Sequence, residues 1–433
     1  MKRRHRILLA LACLLLLAGL ALRIALRPEN VARLVLQQAG SALGLEITAG
    51  GDAEYRLWGT PRLVLRDVVA RERGAQGAVL RAGRIDVAVP WSTLRSRGAV
   101  LDVQRVELDA PVLDLPALEA WLDKRPPAET RIPTFRRGLA ISGGRVRGEG
   151  WDIEALDVDL PRLHPDAPVA AHVAGRFLDP PMRVGLDLHI ALTRPANHVG
   201  AASVGTVEVA SGDWRLPARI RLSGPLHLDA GALRIAPMRL AMSATSVSGA
   251  TRLPFALGVH GPLRFENSIW TLAPVGLALR GQAAVPTFDA RGAIALGRDL
   301  VVHLDGAMPA WNNAWPALPP PIGQSDAPLP FRLDYVGKPD ASDVARLQLR
   351  REQARFDARF RLPEVLAWSG AANGGSPVPP LDGRITVPAL EISGARLEGV
   401  EVVIDEPEID ESGVDEPANT VPDTGAADRK APR

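Results

Sequence analysis

The sequence predicts a mainly β protein with many short antiparallel strands, one N-terminal transmembrane helix and a few short helices. Three observations carry that prediction. Apolar and polar residues alternate over short runs along most of the chain, the period of two expected when successive side chains leave a strand on opposite faces. The 38 prolines and 40 glycines fall between those runs, as turns require, and not in one tract. One long uncharged stretch, Ile7–Leu22, stands near the start.

Taken in order, residues 1–6, MKRRHR, are a basic segment expected on the cytoplasmic side. Residues 7–26 read as a transmembrane anchor, with Ile7, Leu15 and Leu22 among its apolar side chains and Arg23 snorkelling to the interface. That length suffices, because about 20 apolar residues span a bilayer core. A cleaved signal peptide is the first rival, but no clear small-x-small site follows the run. Lipoprotein processing at Cys13 is the second, and Ala10-Leu-Ala12 makes a poor lipobox for it. Cys13 is the only cysteine, so the chain beyond it has neither a disulfide nor a thiolate metal site.

A helix over Pro28–Leu43 should follow, with proline in its first turn and Gly44 as its stop. The region 28–125 then turns to strands. In Val79–Val89 the residues Ile85, Val87 and Val89 point one way and Arg84, Asp86 and Ala88 the other. Pro90 ends that strand, a short turn or single helical turn through Trp91–Arg97 follows, and Leu101 and Val103 share a face of a second strand. Val106 and Leu108 continue it in a shifted phase, suggesting a bulge, and Pro111 interrupts before Val112–Leu115. Variants of this strand–connector–strand–proline–strand unit are expected along most of the chain. Pro116–Asp123 reads as a short helix.

A middle β-rich region covers 136–310. Its cleanest strand is Met182–Leu192, where Met182, Val184, Leu186, Leu188, Ile190 and Leu192 share a face. Shorter pieces such as Ile220/Leu222, Leu226/Leu228, Leu233/Ile235 and Met238/Leu240/Met242 are mostly separated by proline or glycine. A proline-rich linker is expected over 311–330, a C-terminal β region over 331–404, and a disordered acidic tail over 405–433. Roughly twenty one-sided strands with few helices must bury their apolar faces against another sheet, against themselves, or against an apolar ligand.

Chemistry is scarce. Net charge is only +2 and the nine tryptophans lie on no basic stripe, so no nucleic-acid partner is expected. No two histidines stand at H-x-H or H-E-x-x-H spacing, so neither a metal nor a cofactor is expected. Ala201-Ala-Ser203-Val-Gly205 lacks the first glycine of a nucleophile elbow, and Ser-x-x-Lys is absent. Gly143-Gly-Arg-Val-Arg-Gly148 lacks the Lys-Ser/Thr pair of a phosphate loop and reads as a turn. The pairs Asp157/Asp159 and Asp152/Glu154 read as a solvated strand face. No catalytic residues, and no enzyme, are expected.

The N-terminal anchor, the helix, Leu43-Gly-Leu45-Glu-Ile47, Trp58-Gly-Thr-Pro61-Arg-Leu-Val-Leu65-Arg-Asp67-Val68, Ala82-Gly-Arg-Ile-Asp-Val-Ala-Val89 and Val103-Gln-Arg-Val-Glu-Leu-Asp-Ala-Pro111-Val-Leu-Asp-Leu115 come in an order that resembles the AsmA family of Gram-negative bacteria, relatives of TamB. Gly383-Arg-Ile-Thr-Val387 with Leu390–Ile404 looks like the family's C-terminal strand repeat. The likeness covers about residues 1–120 and, more loosely, 383–404. It implies an elongated antiparallel β-groove in the periplasm, anchored in the inner membrane, that binds or conducts phospholipid acyl chains for outer-membrane biogenesis. Ile85, Val87, Val89, Val184, Leu186, Leu188 and Ile190 would then line the groove, and phospholipid, the inner membrane and envelope proteins would be its partners. The alternative is an assembly or secretion accessory, like the type II secretion N component, whose sheet contacts proteins.

Overall fold

Alternating side chains and frequent turns make the described part of the protein mainly strand. The computed structural model describes residues 36–404 apart from 38–39, 42, 52, 57, 96–101, 126–132, 230, 283–284, 313–314, 316–324, 326, 371–379 and 393–394. The expected anchor (7–26), Cys13 and the acidic tail (405–433) lie outside the described residues, among which no helix is long and apolar enough to cross a membrane. Of the helix expected over 28–43, positions 36, 37, 40, 41 and 43 are described and helical, and Gly44 ends it at φ 60°.

The N-terminal part comprises β1 (Leu45–Ala49), β2 (Glu54–Arg56), β3 (Arg62–Glu72), β4 (Ala78–Ala88), α1 (Trp91–Arg95), β5 (Asp102–Val103), β6 (Arg105–Asp109), β7 (Val112–Asp114), α2 (Leu115–Asp123), β8 (Thr134–Phe135) and β9 (Leu139–Arg147). There follow β10 (Asp152–Leu160), β11 (Val169–Asp179), β12 (Met182–Leu192), β13 (His198–Ser211), β14 (Trp214–Asp229), β15 (Ala232–Ser248), β16 (Thr251–Glu266) and β17 (Ile269–Gly281). The last group is β18 (Phe288–Leu296), β19 (Leu300–Met308), β20 (Leu329–Gly337), β21 (Val344–Arg351), β22 (Ala354–Arg361), α3 (Leu362–Gly370), β23 (Leu381–Ile392) and β24 (Ala395–Ile404).

Twenty-two of these strands form one sheet, and β5 and β8 pair separately. β1 and β2 both pair with β3, β3 pairs with β4, and β4 pairs with β6 and β7. β6 and β7 run parallel to β9, and from β9 to β24 each strand pairs antiparallel with the next. At about 4.8 Å per strand such a ribbon is on the order of 90 Å long. No pairing joins β24 to β1 or β2 among the described residues, so the described sheet has two open edges.

Three expectations need correction. The sheet is mixed and not purely antiparallel: β7 leads into α2, and the chain crosses over before laying β9 parallel to β7, as parallel neighbours require. The unit around Pro111 does not recur, because beyond β9 the strands mostly follow one another through short turns. Finally, proline does not divide the middle strands. Pro225, Pro237, Pro262 and Pro274 sit inside β14, β15, β16 and β17, at register shifts between each neighbouring pair. Proline cannot donate to the ladder and is tolerated within a sheet at a bulge. Here four bulges align across four strands into a crease. One element was not anticipated, the helix α3.

Short helices fit the ends of strands. Asp114 caps α2 by accepting from the Ala117 amide at 3.0 Å, and Pro116 occupies the first turn. Ala117, Leu118 and Trp121 of α2 pack on Leu45, Ala70 and Val79, and the Trp121 indole N–H donates to the Leu43 carbonyl at 3.2 Å.

One face of the sheet is apolar and the other charged. The charged face carries a ladder of ion pairs. The Asp86 carboxylate, only 4% exposed, accepts from Arg62 at 2.8 Å and Arg84 at 2.9 Å, and Arg84 reaches on to Asp109 at 3.0 Å. Further along, Arg332 Nε donates to Asp305 at 2.8 Å. The apolar face is most deeply buried from β15 to β23, where Val275, Leu329 and Leu349 are 2%, 0% and 1% exposed. A single layer reaches such burial only where it is covered, and Trp311 and Trp315, between β19 and β20, pack onto this cluster.

Leu329→Ala is expected to cost about 2–5 kcal/mol through the cavity it leaves, read as a shifted midpoint in urea unfolding. The hydrogen bond from Arg332, against a smaller opposing pull from burial, holds the Asp305 carboxyl below the usual carboxylate range. A carboxyl so depressed contributes stability that is present above its unfolded pKa and lost as pH falls through its folded value. Arg332→Gln should therefore lower the neutral-pH melting temperature only slightly, because so exposed a pair contributes little. The gap to the unmodified chain should close once Asp305 is protonated in both.

Candidate functional site

The apolar face is the candidate site, and cross-strand register builds it. Starting from β3, Leu65 lies opposite Ile85, Ile85 opposite Leu108, and Leu108 opposite Ile141. The line runs on through Val158, Val173, Leu188, Gly205, Ile220, Met242, Leu257 and Leu279 to Phe288. Every position but Gly205 carries an apolar side chain. Local irregularities preserve the face. Asp67, at φ 49°, lies between the pairs Arg66–Arg84 and Val68–Ala82, and the apolar positions of β3 step from Leu65 to Val68 across it.

The structure thus brings the two sets of predicted lining residues onto one face, in different surroundings. Ile85 packs against Leu65 and Val68 in a cluster that includes Leu36, so protein covers it. Val87 pairs with Leu63 and Val106, and Val89 lies just beyond β4, its amide donating to the Pro61 carbonyl at 2.9 Å. Val184, Leu186, Leu188 and Ile190 form a half-buried row on β12. Their partners are Phe177, Gly175, Val173 and Ala171 on β11 and Val209, Val207, Gly205 and Ser203 on β13.

Midway along β13 three successive residues facing this side are small: Ala201, Ser203 and Gly205. Large neighbours flank them, Leu188, Ile190 and Leu192 on β12 and Ile220 and Leu222 on β14. The result is a slot running along β13 between two apolar walls. The Ser203 hydroxyl within it is buried and has no hydrogen-bond partner. Two glycines on this face mark close approaches of neighbouring strands. At Gly205 and Gly292 an added Cβ would overlap a carbonyl oxygen of the adjacent strand, that of Asp187 and of His303.

A second feature lies on the charged face. A groove of about 850 Å³ crosses β11 to β15. Its floor follows the register line Ala170, Ala191, Ala202, Ser223, and His172, His189, Arg221 and Arg239 border it. His172 and His189 are directly opposite each other, their ring centroids 4.6 Å apart, and His172 Nε2 lies 2.8 Å from Asp187 Oδ1. A separation of 17 positions gives no motif, so spacing along the chain could not reveal this trio. Only the hairpin register brings it together. No family model, curated protein or solved structure matches the chain.

Ser203→Ala removes a buried hydroxyl that gains nothing in the folded state, and it should raise stability by about 1 kcal/mol. Thermal melts of the two proteins check this, and a lowered melting temperature would mean that the hydroxyl does have a partner.

Proposed function

We propose that the chain is an inner-membrane-anchored periplasmic protein that binds or conducts phospholipid acyl chains along the apolar face, in support of outer-membrane biogenesis. The observation that carries this reading is the apolar register from β3 to β18, interrupted only at Gly205, half-buried over β12 and, among the described residues, without a second protein layer packed against it there. An extended hydrocarbon chain matches such a surface. Each methylene taken out of water contributes roughly 0.8 kcal/mol, so about a dozen methylenes would gain on the order of 10 kcal/mol before the costs of ordering. The slot along β13, walled by Leu188, Ile190, Ile220 and Leu222, suits one such chain. Anchorage and compartment rest on Ile7–Leu26, on the basic residues before it and on the resemblance of the N-terminal segments. The role is one of binding or transport and not of catalysis. A second reading, a protein-assembly or secretion accessory, draws on the open edge strand β24, where Leu397, Val402 and Val403 are exposed.

The test is Leu186→Asp combined with Leu188→Asp. On a face that meets acyl chains, the fold should survive because no packed layer is deprived. Lipid photo-crosslinking should fall sharply, since unpaired carboxylates are costly in an apolar medium. A collapsed melt in the lipid-free protein would refute the groove at β12, and an unchanged melt with unchanged crosslinking would refute lipid contact there.

A further inference from the structure

On the charged face, away from the proposed acyl-chain surface, we propose that His172, Asp187 and His189 form a site for a divalent d-block cation such as Zn(II). Each residue offers one ligand atom, and these atoms all lie within 4.8 Å of one another. Two imidazoles and a carboxylate are the donors such a cation prefers, with metal–ligand distances of about 2.0–2.2 Å. Small rotations of side chains on a solvent-exposed face bring the three atoms to that spacing. The backbone does the positioning. His172 and His189 are a directly opposed pair on β11 and β12, and Asp187 is two residues before His189, hence on the same face.

Electrostatics favour a cation here. The residue opposite His172 on its other side is Asp159, and the one opposite Ala174, itself the partner of Asp187, is Asp157. Across β12 the partners of Asp187 and His189 are Thr206 and Val204. No arginine or lysine stands directly opposite any of the three ligands. The contact between His172 Nε2 and Asp187 Oδ1 holds two of the donors side by side before metal arrives, so a cation would replace the proton between them. Three protein ligands leave a tetrahedral ion one open position. It would face the groove whose far border carries Arg221 and Arg239.

A second opposed pair, His198 and His227, has its ring centroids 4.8 Å apart but, among the described residues, no carboxylate completing a trio. It provides the internal control. The experiment uses the untagged full-length chain in non-ionic detergent, titrated with Co(II) and followed by its visible d–d absorption, with Zn(II) then added in competition. One Co(II) per chain should bind and be displaced by one equivalent of Zn(II). His172→Ala and His189→Ala should each abolish the bands, and Asp187→Asn should weaken binding at least about tenfold, with circular dichroism melts unchanged. His198→Ala with His227→Ala should leave binding intact. Absence of stoichiometric binding, survival of the bands in both His172→Ala and His189→Ala, or their loss in the His198/His227 variant would each overturn the site. None of these outcomes touches the apolar face, so the site and the acyl-chain reading stand or fall separately.

Discussion

A strand that slipped by one residue would turn all of its apolar side chains to the charged face, so the hydrogen-bonded ladder between neighbouring strands is the interaction on which the rest of the molecule depends. In a globular domain a central core would punish such a slip. Where the sheet is a single layer, as at β12, the penalty must come from each strand's two neighbours. The register from Leu65 to Phe288 keeps that parity across twelve junctions, and the irregularities respect it. Where β14 gains Gly224-Pro225, β15, β16 and β17 gain matching insertions, so the apolar sides stay in phase beyond the crease.

The charged face supports the same order by another means. Arg62, Asp86, Arg84 and Asp109 come from three successive strands and can pair only in the observed register. Exposed pairs of this kind add little stability. Buried Asp86 matters more, because a slip would leave a desolvated carboxylate without its guanidinium partners. Such pairs select one arrangement among several that hydrophobic burial alone would allow.

What could be read from the sequence was local, and what could not was relational. Alternation located Met182–Leu192 as β12 to the residue, and the proline at Pro116 gave α2 almost as well. The mixed topology was hidden, because nothing in the residues of β7 says that β9 will lie parallel to it. Pro225 and Pro237 read as boundaries and are not, since a proline at a bulge and a proline at a turn look alike until the neighbouring strand is known. The same blindness covered the site. Ala201, Ser203 and Gly205 look unremarkable on β13 and become the floor of a slot only between the large residues of β12 and β14. His172 and His189 meet only through the hairpin that joins β11 to β12.

The crease across β14 to β17 has a mechanical consequence. A hydrogen-bonded sheet resists being folded sharply along a line that crosses its strands, because every rung on that line must distort together. Four aligned prolines withhold their amide donors along one such line, which parallels the long axis of the ribbon. Stiffness is therefore lowest along a keel, and flexing about it changes the angle between the two flanks without breaking the ladder on either side. Over these strands the sheet is built less like a rigid plate than like a hinged one, whose two flanks can swing while the length of the ribbon stays fixed.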